Sequence, residues 1–209
     1  MATYTVDLPC IADTYVDEEF PSTNYGSATA LKPREKYKLY NYDYKAKAGM
    51  RFDASVIPVR KKINSISIKL YYTNAYLSTY ASNVYVNFKL FRSNATGKYI
   101  KENVDTNNNA YYPIYYEDTR VNASSLTLNA YNTVDYEESL SLTEEENFIE
   151  CFVSAMVTGN TIDGYEGYIT FASRETANSP KLSITYEDVP PNAPRSEEHT
   201  SELQSHHDL

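Results

Sequence analysis

The chain has 209 residues, enough for one domain of ordinary size with its own hydrophobic core. Its formal net charge is −9 and its sequence pI is about 4.9, and an acidic protein repels nucleic acid and anionic membrane surfaces. We therefore expect no nucleic-acid partner. We also expect no membrane insertion, because no run of about 18 apolar residues is present.

The first candidate site lies near the N-terminus. Residues Asp13–Asp17 predict a strand that leads into a loop, which Asn24–Gly26 closes. Because Ca²⁺ takes about six to eight oxygen ligands, Asp13, Asp17 and Asn24 are candidates for a calcium site. The alternative is a rigid loop in which these side chains bond to the local backbone.

A tyrosine-rich stretch follows at residues 37–45. The chain contains 22 Tyr, 7 Phe and no Trp, and tyrosine favours strands while presenting a flat ring and a hydroxyl group to a ligand. In this stretch Tyr37, Tyr40, Tyr42 and Tyr44 are interspersed with lysines, which predicts a ligand surface of aromatic rings and ammonium groups. The alternative is a pair of strands covered with tyrosine.

Two arginines complete the set of candidate ligand-binding residues. Arg51 and Asp53 flank Phe52 and point to the opposite face of a strand, and Arg174 precedes Glu175 in a turn-rich segment. A guanidinium group binds a carboxylate with two parallel hydrogen bonds. Arg51 and Arg174 therefore either form internal ion pairs that fix loops or bind the carboxylate of a ligand.

Most of the remaining pattern predicts strands. Apolar residues alternate with polar ones, or form short strand-like runs, in Ile63–Tyr72, Val84–Phe91, Leu126–Leu128, Gly167–Ala172 and Lys181–Tyr186. Residues Ser173–Pro180 predict a hairpin-like connection, and Phe148–Asn160 predicts a strand that enters a short helix. The predicted fold is an all-β, jelly-roll-like antiparallel sandwich with at most one short helix.

Cys10 and Cys151 leave two alternatives open. They form no Cys-x-x-Cys motif, and they lie near the start and the end of the predicted fold. A disulfide between the first and last strands is one alternative. Two buried thiols are the other, because free cysteine packs as a small apolar residue.

The C-terminal residues do not belong to the predicted fold. We assign residues 1–188 to the sandwich and the proline-rich residues 189–194 to a linker. Residues 195–209 resemble the translation of a sequencing-adapter DNA, and we interpret them as a disordered tail and a sequence artefact, with a genuine polar tail as the alternative.

The sequence contains no set of residues typical of a catalytic site. All three histidines, His199, His206 and His207, lie in that tail, so the predicted sandwich contains no Ser-His-Asp triad and no histidine metal site. No glycine-rich phosphate loop is present either. We therefore expect no enzymatic activity.

Three stretches taken together resemble the DNRLRE domain, also called carbohydrate-binding module family 96, which is related to the disaggregatase repeat. The stretches are Ala12–Asp17 with Pro21–Gly26, Met50–Asp53 with Val56–Pro58, and Ser173–Glu175 with Ser179–Leu182 and Ile184–Tyr186. The resemblance covers roughly residues 3–187. It implies a β-sandwich of secreted and surface proteins, some of which bind acidic polysaccharide beside polysaccharide lyases.

This resemblance sets the functional expectation. We expect a non-catalytic carbohydrate-binding module of a bacterial secreted or surface protein, with an acidic polysaccharide or neighbouring domains of a longer chain as partners. Its location would be extracellular or at the cell surface, although no signal peptide is visible, and Ca²⁺ is the one cofactor considered. The alternative is a structural spacer module of a wall-associated protein or phage virion without a soluble ligand.

Overall fold

The structure, a computed structural model, describes residues 2–38, 42–93, 119–136, 142, 147–159 and 164–189, with the backbone alone at positions 42 and 43. Within these ranges the chain forms eleven strands and one 3₁₀ turn, Ala123–Ser125. The strands are β1 Thr3–Asp17, β2 Ala30–Leu31, β3 Arg34–Lys38, β4 Tyr42–Asp53, β5 Lys62–Leu77, β6 Ala81–Ser93, β7 Thr119–Asn122, β8 Ala130–Tyr136, β9 Phe148–Gly159, β10 Tyr165–Ala172 and β11 Lys181–Glu187. The predicted all-β sandwich class is confirmed.

Two long strands, β4 and β5, organise the two layers of the sandwich. One edge of β5 pairs with β8, and the other edge pairs with β10 and β11, which follow one another end to end. One edge of β4 pairs with β1, and the other edge pairs first with β3 and then with β9, which continues to β6 and β7. The pairings β1–β11 and β10–β3 join the two layers.

The core lies between these layers. Alternate residues of β5, such as Ile66, Ile68 and Leu70, are buried against one side, as their period-two pattern predicts. Val86 and Phe88 of β6 belong to the same buried cluster. Predicted strands Ile63–Tyr72, Val84–Phe91, Gly167–Ala172 and Lys181–Tyr186 therefore all fall inside observed strands.

The short helix predicted at Phe148–Asn160 is wrong, because β9 is a strand up to Gly159. It lies between β4 and β6, and both of its faces are covered: Cys151 is fully buried on one face, and Phe152 is buried on the other against Val16. A strand buried on both faces has apolar residues at helical as well as at strand spacing, so periodicity alone does not distinguish the two.

Two connections also differ from the prediction. Ser173–Pro180 is not a hairpin turn, because β10 and β11 run in the same direction along β5. Leu126–Leu128 is not a strand but a loop that follows the 3₁₀ turn. The side chain of Asn132 accepts a hydrogen bond from the backbone of Thr127 at 2.7 Å and donates one to its carbonyl at 3.0 Å, which occupies the groups a strand partner would use.

Cys10 and Cys151 are both free and buried, so the two-thiol alternative holds. The Cys10 Sγ donates to the carbonyl oxygen of Ala12 at 3.2 Å, and the Cys151 Sγ lies 3.3 Å from the hydroxyl of Tyr136. Burial raises the pKa of the Cys10 thiol. It is therefore a structural thiol with little thiolate character.

Two phenylalanines test the position of the core. Phe88 is 1% exposed and Phe20 is 52% exposed. We expect Phe88→Ala to lower the free energy of unfolding by roughly 3–5 kcal/mol, since it leaves a cavity. The matched control Phe20→Ala should change it by less than about 0.5 kcal/mol. Urea unfolding of both variants is the measurement, and equal losses would contradict the assigned core.

Candidate functional site

A buried arginine organises the surface where β1, β3 and β10 meet. The Nη2 of Arg34 donates to both carboxylate oxygens of Asp17, at 2.7 and 2.9 Å. Its Nη1 lies 2.9 Å from Glu19 Oε2 and 3.3 Å from Glu166 Oε1. The Arg34 and Asp17 side chains are 8% and 9% exposed, so this ion pair is shielded from water. The planar guanidinium fixes the three carboxylates around it.

Glu19 is the point at which three cations converge. Besides Arg34, the Nζ of Lys36 lies 2.9 Å and the Nζ of Lys38 lies 3.0 Å from its Oε1. The hydrogen bond from Lys36 is the largest cause that lowers the pKa of Glu19 to about 2, and those from Lys38 and Arg34 add to it. These basic side chains therefore form a cluster that holds a carboxylate at the protein surface.

A second contact fixes β3 beside β9, the other strand on the same edge of β4. The carboxylate of Glu35 is buried and accepts a hydrogen bond from the backbone N–H of Val157 at 2.5 Å, while Lys45 Nζ lies 3.2 Å away. The pairing of β9 with β4 ends at Ser154, so the Val157 N–H needs an acceptor from another element. Glu35 supplies it and holds β3 in place.

Beside the basic cluster lies a groove of about 310 Å³, which we call the tyrosine groove. Its lining residues come from β3, from the turn between β5 and β6, and from the start of β10, and they include Lys36, Tyr37, Lys38, Ser78, Tyr80, Tyr165 and Glu166. Tyr37 is opposite Tyr165 in the strand register, and their rings stack with centroids 5.4 Å apart. Tyr80 is 50% exposed and offers an aromatic face to a ligand. Because successive residues of a strand point to opposite faces, the Tyr37 and Tyr165 rings lie on one face of β3 and β10, and the side chains of Lys36, Lys38 and Glu166 lie on the other.

A second pair of stacked rings lies on the other face of β10, where β10 pairs with β5. Tyr76 is opposite Tyr168, and their rings stack with centroids 5.3 Å apart. The Nζ of Lys32 lies 3.8 Å from the centroid of the Tyr168 ring, which is cation–π geometry. Lys36 is opposite Tyr44, so these two side chains share one face of the sheet, and the Tyr76–Tyr168 pair extends the aromatic surface.

The structure brings only some of the predicted ligand-binding residues to this surface. Tyr37 lines the groove, and the Tyr44 ring lies 4.9 Å from Lys38 Nζ. Tyr40 lies outside the described residues, and Tyr42 is described by its backbone alone.

The two predicted arginines lie elsewhere. The Arg51 guanidinium lies 4.4 Å above the ring of Phe148. The Arg174 Nη1 donates to the carbonyl of Ile11 at 2.7 Å, and its Nε lies 3.1 Å from Glu175. Neither arginine lines the tyrosine groove. The contacts of Arg174 are of the kind that fixes a loop.

The residues predicted to bind calcium are engaged in protein contacts. Asp17 binds Arg34 through both oxygens, Asp13 accepts a hydrogen bond from the Arg174 backbone at 2.7 Å, and Asn24 accepts one from the Gly26 backbone at 2.8 Å. Across the ranges that the structure describes, no three His, Cys, Asp or Glu side chains are grouped to hold a metal ion. These contacts are those of a rigid, capped loop, and the calcium site stays a prediction.

Several residues of the surface were not predicted as ligand-binding residues. Tyr80 and Tyr165 are distant from Tyr37 in the sequence, and pairing of β3 with β10 brings them together. Lys36 and Lys38 flank Tyr37, and that alternation of basic and aromatic residues is the signal that could have identified them. No comparable signal marks Arg34, because its partners Asp17 and Glu166 come from other strands.

The fold defines the class of protein, an all-β sandwich module. The model of carbohydrate-binding module family 96 matches residues 4–186. The chain belongs to this family. No curated protein sequence matches the chain. Among the described residues, none forms a helix long and apolar enough to cross a membrane.

The cations around Glu19 make stability depend on pH in a specific window. A carboxylate whose folded pKa is about 2, against an ordinary value of 4.5, stabilises the fold fully above pH 4.5. We expect that contribution to disappear as the pH falls from about 4.5 to 2. In urea titrations over this range, Glu19→Gln should lose less stability than the wild type.

Asp135→Asn, which also removes one exposed carboxylate, is the control for this comparison. It should follow the wild-type pH dependence. If Glu19→Gln showed the same pH slope as the wild type, the three cations would not hold Glu19 in its ionised form.

Proposed function

We propose that this module binds an acidic polysaccharide in the tyrosine groove and has no catalytic activity of its own. The observation that carries the proposal is the groove itself, whose lining residues include Tyr37, Tyr80 and Tyr165 as well as Lys36 and Lys38. Ligand sites are typically concave surfaces with apolar rings and a few polar groups that orient the ligand.

The tyrosines supply contact area for sugar rings. Tyr37 and Tyr165 hold each other by stacking, so their ring planes are preorganised before a ligand arrives. Tyr80 stands at the turn between β5 and β6 with half of its surface exposed. A sugar ring lying against Tyr80 would remove this apolar area from water.

The lysines favour a ligand that carries carboxylates. An ammonium group has three hydrogen-bond donors, and Lys38, whose side chain is 46% exposed, contacts Glu19 Oε1 at 3.0 Å. A uronic acid carboxylate in the groove would find a further donor there. Glu19 supports this chemistry, because the same cations already bind a carboxylate of the chain itself.

The same proposal extends to cellular location and to calcium. A polysaccharide ligand suits a secreted or surface protein of a bacterium, where such a module would attach a longer chain to a glycan. A Ca²⁺ ion that bridges the acidic module and a uronate chain would explain calcium-dependent binding, with Asp13, Asp17 and Asn24 as the candidate ligands.

Affinity electrophoresis of the full chain tests the proposal. We expect retardation in gels that contain polygalacturonate and less retardation in gels that contain neutral glucomannan. Tyr80→Ala should lower the affinity for polygalacturonate about tenfold, since it removes one stacking surface. Parallel gels with Ca²⁺ and with a chelator show whether calcium takes part.

Tyr4→Ala is the matched control, because Tyr4 is 45% exposed and stacks on Tyr186 without lining the groove. It should bind as the wild type does. Equal losses in both variants would place the glycan elsewhere. Absence of retardation in every gel would favour the structural spacer module instead.

A further inference from the structure

A second cavity lies on the other side of the turn between β5 and β6. It encloses about 220 Å³, and no charged side chain lines it. Ala75, Leu77 and Val84 provide apolar walls, and Ser82, Asn83 and Ser124 provide hydroxyl and amide groups. We call it the uncharged cavity.

The uncharged cavity and the tyrosine groove share this turn as a common wall. Leu77 lines the cavity and its neighbour Ser78 lines the groove, while Tyr80 of the groove is two residues from Ser82 of the cavity. Two residues span at most about 7 Å of backbone. A ligand that lies across the turn would therefore contact both depressions.

Backbone hydrogen bonds hold the turn in position. The N–H of Ser78 donates to the carbonyl of Glu166 at 2.9 Å, and the N–H of Ala81 donates to the carbonyl of Ser78 at 3.0 Å. The Oγ of Ser78 accepts a hydrogen bond from the N–H of Glu166 at 2.9 Å. The two depressions thus have a fixed separation, as two subsites for one chain of sugars require.

We propose that the uncharged cavity binds a neutral sugar residue of the same polysaccharide whose acidic residue occupies the tyrosine groove. The ligand is then a heteropolysaccharide in which acidic and neutral residues are close neighbours. This inference rests on the proposed function of the groove. It adds a second subsite and a narrower class of ligand.

The chemistry of the cavity favours a neutral sugar. Hydroxyl and amide side chains such as Ser82 and Asn83 both donate and accept hydrogen bonds, which matches sugar hydroxyls. The apolar walls match the C–H face of a sugar ring. A uronate carboxylate would lose its hydration there without gaining a cationic partner, which is unfavourable.

The charge balance of the groove also favours a ligand in which only some of the sugars are acidic. Arg34, Lys36 and Lys38 already face the carboxylates of Asp17, Glu19 and Glu166. Three cations facing three carboxylates leave little net charge to attract a polymer with an acid group on every residue. A chain with spaced acid groups meets less repulsion from this surface.

Three hexasaccharides of equal length separate the possibilities in calorimetric titrations of the full chain. Fragments of hyaluronan alternate acidic and neutral sugars, fragments of polygalacturonate are acidic throughout, and fragments of chitin are neutral throughout. We expect the hyaluronan hexasaccharide to bind about tenfold more tightly than the other two, because only it satisfies both subsites.

Asn83→Ala removes one amide from the uncharged cavity. It should weaken binding of the hyaluronan hexasaccharide up to about tenfold and leave binding of the galacturonate hexasaccharide unchanged. Asn74→Ala, at an exposed position of β5 that lines neither depression, is the matched control and should change nothing. Ser82→Tyr, also at an exposed position, blocks the cavity. This variant replaces Asn83→Ala in the test if Asn83→Ala does not fold.

The outcomes separate this inference from the proposed function. If Asn83→Ala and Ser82→Tyr leave hyaluronan binding unchanged, or if hyaluronan binds no better than galacturonate, the second subsite is wrong while the groove stands. If no hexasaccharide binds, or Tyr80→Ala affects none of them, the proposed function fails and this inference fails with it.

Discussion

The ion pair between Arg34 and Asp17 fixes the geometry on which the tyrosine groove depends. The strand β1 ends and β3 begins on opposite edges of β4, with Asp17 and Arg34 on either side of Ala46. Because one guanidinium nitrogen contacts both oxygens of one carboxylate, the two strand ends are held together. The same guanidinium reaches Glu19 and Glu166, which places the loop after β1 and the start of β10 against β3. Removing either partner would leave a buried charge, which typically costs about 3–5 kcal/mol.

A strand can be predicted from the sequence when one of its faces is buried and the other is exposed. In β5 the alternation of Ile66, Ile68 and Leu70 with polar residues reports that difference directly. The same reasoning fails in β9, because neighbours on both sides bury Cys151 and Phe152 and erase the alternation. The fold class could be predicted because several strands have one buried and one exposed face. The paths of individual connections could not, since they depend on which edge of β5 is available to β10 and β11.

The candidate site was predictable only in its local part. Tyr37 and its flanking lysines are close in sequence, so their alternation marks a possible ligand surface. Tyr80 and Tyr165 reach the same groove through the β5–β6 turn and through pairing of β10 with β3. That pairing is a long-range event that no local pattern encodes. Arg174 is a similar case, since the sequence left loop fixation and ligand binding open, and its guanidinium donates to the carbonyl of Ile11, which is 163 residues away in the sequence.

Local charge, and not the net charge of the chain, decides what the groove can bind. At physiological ionic strength the Debye length is about 8 Å, so most of the acidic residues of the chain are screened from a ligand in the groove. What the ligand meets is the cluster of Arg34, Lys36 and Lys38 with its three carboxylates, which is close to neutral. Binding must then draw on ring stacking and hydrogen bonds as well as on ion pairs. A polysaccharide with neutral sugars between its acidic ones would use ring stacking, hydrogen bonds and ion pairs together. A groove and an uncharged cavity on either side of one turn would select a polysaccharide of this composition.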